Sequence, residues 1–135
     1  MTGKRKDEDL AERLLQFAVR VIGLCAHLPK NNTGNHVGQQ LLRSGTSPGA
    51  KYEEARGAQS LADFISKLSI VLKELKESRY WLKVIMAVPL LESGAVASVM
   101  AECEELIAII AKSVFTARRS KTASAEQSTT RRLAH

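Results

Sequence analysis

A chain of 135 residues, 44% hydrophobic and 25% charged, has the size and composition of one globular domain. Only 4% of the residues are aromatic, so the core must be aliphatic, which favours helices over strands. No apolar run approaches the roughly 20 residues of a membrane span, and MTGKRKDEDL has no apolar stretch typical of a secretory signal, so a cytoplasmic protein is expected.

The net charge of +6 is concentrated near the C-terminus. Residues 116–135 contain five basic residues against Glu126 alone, a net charge of +4, so the other 115 residues carry only +2. A basic tail of this kind attracts nucleic acid through phosphate contacts, or it keeps the protein soluble as a solvated end. The composition of residues 120–135, rich in Ser, Thr, Ala and basic residues, predicts a disordered tail.

The first helix is predicted from about Asp9 to Ala26, after a flexible N-terminus at residues 1–8. Its apolar residues recur every three or four positions and form one seam: Leu10, Leu14, Phe17, Val21, Leu24 and Leu28. Asp7 or Asp9 can cap its start, and Pro29 with the Asn-Thr-Gly cluster behind it ends the segment.

A second helix begins near Thr33 or Asn35, but the run SGTSPG at residues 44–49 interrupts it. Glycine costs about 1 kcal/mol and proline about 3 kcal/mol in a helix interior relative to alanine. Local propensity therefore predicts two short helices with a break between them. Set beside the long helix that follows, however, the run is better interpreted as a small-residue patch within one second helix that is kinked near Pro48, where another helix can approach closely.

The third helix, from about Ser60 to Ala87, has the clearest pattern, with Ser60 as N-cap and Asp63 three residues later. About 28 residues correspond to roughly 42 Å, which implies an elongated bundle. The fourth, from about Val96 to Ala117, is apolar over more than half its circumference, so it is expected to be central or to pack against another subunit. The four segments predict an all-α, antiparallel up-down four-helix bundle over residues 9–119.

Signatures of enzymes and metal sites are absent from the sequence. The three histidines have no metal-ligand spacing, no phosphate-binding loop is present, and Ser47 has no evident base. No catalytic residue, cofactor or metal is therefore predicted. Cys25 and Cys103 lack a CxxC pattern and are predicted to be buried free thiols, with a disulfide or redox pair as the alternative.

Some polar and aromatic residues of the second and third helices are open to a structural or a functional interpretation. Arg43, Glu54, Glu74 and Arg79 are expected to converge in an ion-pair network that fixes helix register, or to contact RNA or a protein partner. The adjacent Tyr80 and Trp81 must point to different faces, so one is expected in the core and the other at a surface or subunit boundary.

Three stretches resemble a known family: LPKNNTGNHVGQQ (residues 28–40), LLRSGTSPGAKYEEA (residues 41–55) and AQSLADFISKLSIVLKELKESRYWL (residues 58–82). They are similar to the four-helix bundle proteins encoded within intervening sequences of bacterial large-subunit ribosomal RNA, and to a relative, the accessory protein of diversity-generating retroelements. The resemblance covers about residues 10–115. Pro48 departs from the family pattern, which commonly has an aliphatic residue there.

The resemblance implies a continuous second helix, a barrel-like homopentamer and no enzyme activity. It also implies that a nucleic acid and a reverse transcriptase are partners, since the accessory relatives bind both through basic surfaces. Two hypotheses follow: a nucleic-acid-binding oligomer, or a protein-interaction scaffold without direct nucleic-acid binding. The candidate nucleic-acid-binding residues are Lys51, Arg56, Lys67, Lys73, Lys76, Lys83, Arg118, Arg119, Lys121, Arg131 and Arg132.

Overall fold

The computed structural model describes residues 5–134, which form four helices and no strand. The helices are α1 (Lys6–Ala26), α2 (Asn32–Arg56), α3 (Leu61–Ala87) and α4 (Ser93–Ala134). Each packs against its neighbours in the chain, and α4 also returns to α1, which closes the ring of a four-helix bundle. The predicted fold class is confirmed. In the described part of the chain, none of the helices is long and apolar enough to cross a membrane.

The helix starts follow local chemistry. Asn31 caps α2 by accepting a hydrogen bond from the Gly34 amide at 2.8 Å, and Ser60 caps α3 by accepting one from the Asp63 amide at 3.0 Å, as predicted. The predicted aspartate cap of α1 is wrong. Helix α1 begins at Lys6 after an N-cap arginine that makes no side-chain capping bond, so Asp7 and Asp9 lie inside its first turn. There their negative charges interact favourably with the positive end of the helix dipole.

Helix α2 passes through Pro48 as one helix, which confirms the interpretation of residues 44–49 as part of a single second helix; the break expected from local propensity alone is wrong. Ser44, Gly45 and Pro48 are buried, and this tertiary burial outweighs their poor helix propensity. The Ser44 hydroxyl donates to the Leu41 carbonyl at 3.3 Å and accepts from the Ser78 hydroxyl at 3.1 Å, which joins α2 to α3. The bend near Pro48 stays a prediction.

The core is aliphatic and runs the length of the bundle. Its fully buried large side chains include Leu14, Phe17, Leu41, Leu68, Leu75, Leu82, Ile85, Leu106 and Ile110. The predicted seams of α1, α3 and α4 supply most of it. Helix α4 buries most of its apolar surface inside the monomer, although Phe115 is 61% exposed.

Beyond Ala117, the last buried residue, α4 continues to Ala134. We call residues 118–134 the α4 extension; at 1.5 Å per residue it is about 25 Å long. Its side chains through Leu133 are exposed. The structure thus differs here from the disordered tail that composition predicts. The segment has no Gly or Pro after Gly94 to stop the helix, and Ala, Arg, Lys, Glu and Gln all favour its continuation.

Candidate nucleic-acid interface

Three exposed lysines lie on one face of α3: Lys73, Lys76 and Lys83. At 100° per residue they fall within about 80° of the helix circumference, and they span about 15 Å along its axis. Among the residues that the structure describes, none of the three has a carboxylate within 4.0 Å. We call them the α3 lysine stripe. Their ammonium groups are available to an anionic partner.

Tyr80 lies within this stripe and is 57% exposed. Its ring packs perpendicular to that of Trp81, with ring centroids 5.1 Å apart, and Trp81 in turn meets His36 at 5.8 Å. Trp81 is partly buried against the core. The expectation that the two aromatic residues lie in different environments is confirmed, because Trp81 packs against the core and Tyr80 is exposed. The sequence reasoning did not connect Tyr80 with the lysines, although its position four residues after Lys76 and three before Lys83 carries that signal.

Carboxylates on both sides of the α3 lysine stripe form ion pairs with arginines. Arg43 on α2 reaches across to Glu74 at 3.1 Å and also to Glu77. On the other side, Arg79 pairs with Glu104 of α4 at 3.3 Å. The paired groups therefore carry two positive and three negative charges. Together with the three lysines, this surface has a net charge of about +2.

These pairs revise the predicted ion-pair network. Arg43 and Glu74 do meet, but Arg79 turns to Glu104, and Glu54 lies 3.5 Å from Lys51 on its own helix. The four residues do not converge, because the register of α4 brings Glu104 to Arg79 and no single-sequence pattern reveals that register. The arginine of the first pair is half exposed, and such surface pairs contribute little to stability.

An ion pair between α1 and α4 was not predicted. Arg13 of α1 makes two hydrogen bonds to the Glu102 carboxylate of α4, at 3.1 and 2.5 Å. The bond to Glu102 raises the pKa of Arg13. A two-point contact of this kind fixes orientation as well as distance, so it aligns α1 with α4.

Three other candidate basic residues are held by nearby carboxylates. Lys51 lies near Glu54, and Lys67 binds Asp63 at 2.7 Å, which lowers the pKa of Asp63. Arg56 contacts Asp7 at 3.2 Å and Glu53 at 3.1 Å. The charges of these residues are compensated locally, so they are weaker candidates for phosphate contacts than the α3 lysine stripe.

The remaining candidates lie on the α4 extension: Arg118, Arg119, Lys121, Arg131 and Arg132, all exposed. Arg119 sits over the ring of Phe115, 5.8 Å from its centroid. Glu126 is the only acidic residue within the extension. The α4 extension is therefore a second basic surface, and its side chains are not packed against the bundle core.

Helix α1 carries an apolar surface that sequence reasoning missed. Leu15, Val19 and Ile22 are each about half exposed and lie four and three residues apart, on one face. We call them the α1 apolar stripe. A groove between α1 and α2 lies beside this stripe; Leu15 and small residues such as Ala18 and Gly49 line it together with charged side chains such as Glu12 and Arg56. The signal was visible as a second apolar series beside the core seam, whereas the excess apolar surface was expected on α4.

Both cysteines are free, as predicted. Cys103 is fully buried and donates to the Leu75 carbonyl at 3.3 Å, and burial raises its pKa to about 12. Cys25 is partly buried, and burial raises its pKa too. Thiols in this state are poor nucleophiles. Among residues 5–134, no group of three or more His, Cys, Asp or Glu side chains could hold a metal ion.

Comparison with known proteins gives the chain its family. The family model described as 23S rRNA-intervening sequence protein matches residues 6–112, which ends before the α4 extension. A search of curated proteins found no match. A crystal structure of a protein of unknown function from the S23 ribosomal protein family of Bacteroides thetaiotaomicron is 35% identical, with a TM-score of 0.75 over 82% of this chain and 98% of that chain. The chain belongs to the 23S rRNA-intervening sequence protein family.

Proposed function

We propose that this protein binds nucleic acid, with RNA as the first target, and that it does so without catalysing a reaction. The observation that carries the proposal is the α3 lysine stripe: three exposed lysines on one face, without carboxylate partners among the described residues. An array of this kind contacts phosphates and releases counterions, which favours binding in a salt-dependent way.

The α4 extension supports the same proposal from a second surface. It adds five basic side chains on an exposed helix. No aromatic residue lies within residues 118–134 to stack on a base, so binding there is expected to be driven by phosphate contacts and to depend weakly on sequence. The family description names 23S rRNA, which makes structured ribosomal RNA the first probe.

A salt titration tests the proposal. Binding of a fluorescent ribosomal RNA fragment is measured by anisotropy from about 50 mM salt upward, where phosphate-driven affinity falls steeply. The variant with Lys73, Lys76 and Lys83 replaced by Gln should bind more weakly and with a shallower salt dependence. A control with Lys51→Gln and Lys67→Gln removes lysines that already have carboxylate partners and should change less. Absence of binding by the wild type at low salt would contradict the proposal.

We further propose that the protein acts as a homo-oligomer, and the α1 apolar stripe supports this. Three half-exposed aliphatic side chains on one helix face are favourable to cover with a second copy. The resemblance to proteins that form a barrel-like homopentamer suggests that number of copies. The resemblance to the retroelement accessory protein adds a reverse transcriptase as a partner to test.

The same α1 apolar stripe favours a second candidate function, a scaffold that presents this helix face to another protein. The two functions are separable by experiment. A scaffold would retain its partner after nuclease treatment of the extract and would lose it with Leu15→Glu. A nucleic-acid-binding oligomer would lose associated proteins on nuclease treatment.

A further inference from the structure

We infer that the α3 lysine stripe prefers single-stranded nucleic acid and that an unpaired base stacks on Tyr80. The inference rests on the proposed function and narrows its ligand. It starts from position: Tyr80 lies on the lysine face, about 6 Å along the helix axis from Lys76 and about 4.5 Å from Lys83. A strand whose phosphates contact these lysines passes directly over the ring.

The surroundings of Tyr80 suit a stacking surface. The ring rests on Trp81 in a perpendicular arrangement, and Trp81 is anchored in the core and touched by His36 on α2. The tyrosine is thus supported from below while 57% of its surface stays exposed. A ring held in this way loses little conformational freedom when a flat ligand binds to it.

Tyr80 has no evident structural task that would explain its exposure. Its hydroxyl makes no hydrogen bond within the part of the chain that the structure describes. The charges around it also disfavour an apolar protein partner, because charged residues, and lysine in particular, are depleted at the cores of protein interfaces. Lysines that flank an exposed aromatic ring are instead the combination that single-strand binders use, with cations on the backbone and a ring under a base.

Single strands and duplexes differ in whether a base is free to stack on Tyr80. In a duplex each base is stacked on its neighbours and its faces are covered, so Tyr80 could gain a base only by unstacking it. An unpaired base offers its face without that cost. Stacking on an aromatic residue strengthens binding by about tenfold or more per base, and it depends weakly on base identity. The lysines alone would bind single strands and duplexes through phosphates.

The test uses the full-length protein and three probes: an oligouridine of about 12 nucleotides, an abasic oligomer of the same length, and an RNA duplex of similar length. The wild type should bind oligouridine about tenfold tighter than the abasic strand. Tyr80→Ala should remove that difference without changing duplex or abasic binding, and Tyr80→Phe should keep it. Circular dichroism verifies that the exposed-site variants fold.

Trp81, the single tryptophan, gives an independent readout. Oligouridine should change its fluorescence through the adjoining Tyr80 ring, and the abasic strand should not. The inference is overturned if Tyr80→Ala weakens all three probes equally or none of them. If the wild type binds all three alike and the lysine variant binds none, only the inference fails. If the wild type binds no probe, the proposed function fails with it.

Discussion

At the scale of single residues, the contact between Gly45 and Val21 limits how closely α2 approaches α1. A Cβ atom on Gly45 would lie 2.7 and 2.8 Å from the two Cγ atoms of Val21. Val21 is fully buried, and its branched side chain has little rotamer freedom in a helix, so it cannot move aside cheaply. The glycine is needed here for space and not for its backbone conformation, since no glycine in the described chain has a positive φ.

We expect Gly45→Ala to destabilise the protein by about 1–2 kcal/mol. Overpacking a core costs about 1–3 kcal/mol, and alanine returns up to about 1 kcal/mol through helix propensity. Gly23→Ala is the matched control: its Cβ would meet nothing within 4 Å, so it should stabilise the protein by about 0.5 kcal/mol. Urea unfolding of the two variants measures the difference, and equal effects of the two substitutions would rule out the clash.

Because of Cys103, the free energy of unfolding should fall as the pH rises through the alkaline range. Burial raises the pKa of its thiol from 9.0 to about 12, so the unfolded chain loses this proton at a lower pH than the folded protein does. The stability that Cys103 contributes is therefore complete below about pH 9 and declines as the pH rises toward 12. The slope for one group is at most about 1.4 kcal/mol per pH unit.

The variant Cys103→Ser isolates this contribution, because its hydroxyl can still donate to the Leu75 carbonyl but does not titrate. Urea unfolding of both proteins between about pH 8 and pH 11 should show a smaller loss of stability for the variant. Parallel curves for the two proteins would show that the buried thiol does not titrate in this way.

At the scale of elements, α4 combines a buried half with an exposed half. Through Ala117 it contributes to the core, and the α4 extension beyond it has no buried side chain through Leu133. Because none of these side chains is buried, tertiary packing contributes nothing to the stability of the extension, and isolated helices of about this length are marginal in water. Its removal should therefore affect binding and leave folding unchanged.

We expect truncation after Ala117 to leave the melting temperature unchanged within about 1–2 °C, because no burial is lost. Binding of RNA should weaken, and the slope of log K against log salt should fall by up to about 3–4 with the loss of five basic residues. Differential scanning calorimetry and the anisotropy titration measure the two effects. A large loss of stability would mean that the extension packs on the protein.

At the scale of the whole molecule, the α1 apolar stripe lies on a different helix from both basic surfaces. The basic surfaces are the α3 lysine stripe and the α4 extension. Self-association through α1 would therefore leave the basic surfaces open. Several copies of a weak binding surface would then act together on one nucleic acid and raise its apparent affinity.

The double substitution Leu15→Glu and Val19→Glu should reduce the mass of the oligomer in solution, since it places charges on the α1 apolar stripe. Light scattering of the wild type should give a multiple of 14.8 kDa, and the variant should approach 14.8 kDa with unchanged circular dichroism. Leu133→Glu, on the 82%-exposed leucine of the α4 extension, is the control. A wild-type mass of 14.8 kDa would contradict self-association.

How well a feature of this structure can be predicted from the sequence depends on how far apart in the chain the interacting residues lie. The core seams of α1, α3 and α4 and the Ser60 cap are encoded locally, so periodicity and capping rules found them. Local rules failed at Pro48, where burial against neighbouring helices overrides propensity. They also failed for the partner of Arg79, because the register between α3 and α4 is set by the packing of whole helices.

The basic residues can be identified from the sequence, but only the fold shows which of them form ion pairs with a carboxylate. Lys67 and Lys73 look alike in the sequence, yet one binds Asp63 and the other has no carboxylate partner among the described residues. Tyr80 is similar: its exposure depends on which face of α3 meets its neighbours. The candidate site therefore needed the arrangement of three helices before its residues could be separated from ordinary surface charges.

The approach of α2 to α1 also has a consequence for sequence divergence. Because Gly45 and the side chain of Val21 occupy adjoining space, a change at one position alters what the other can accept. A lineage that acquires alanine at position 45 should retain it only with a smaller residue at position 21. These two positions, 24 residues apart in the chain, should therefore vary together among related proteins.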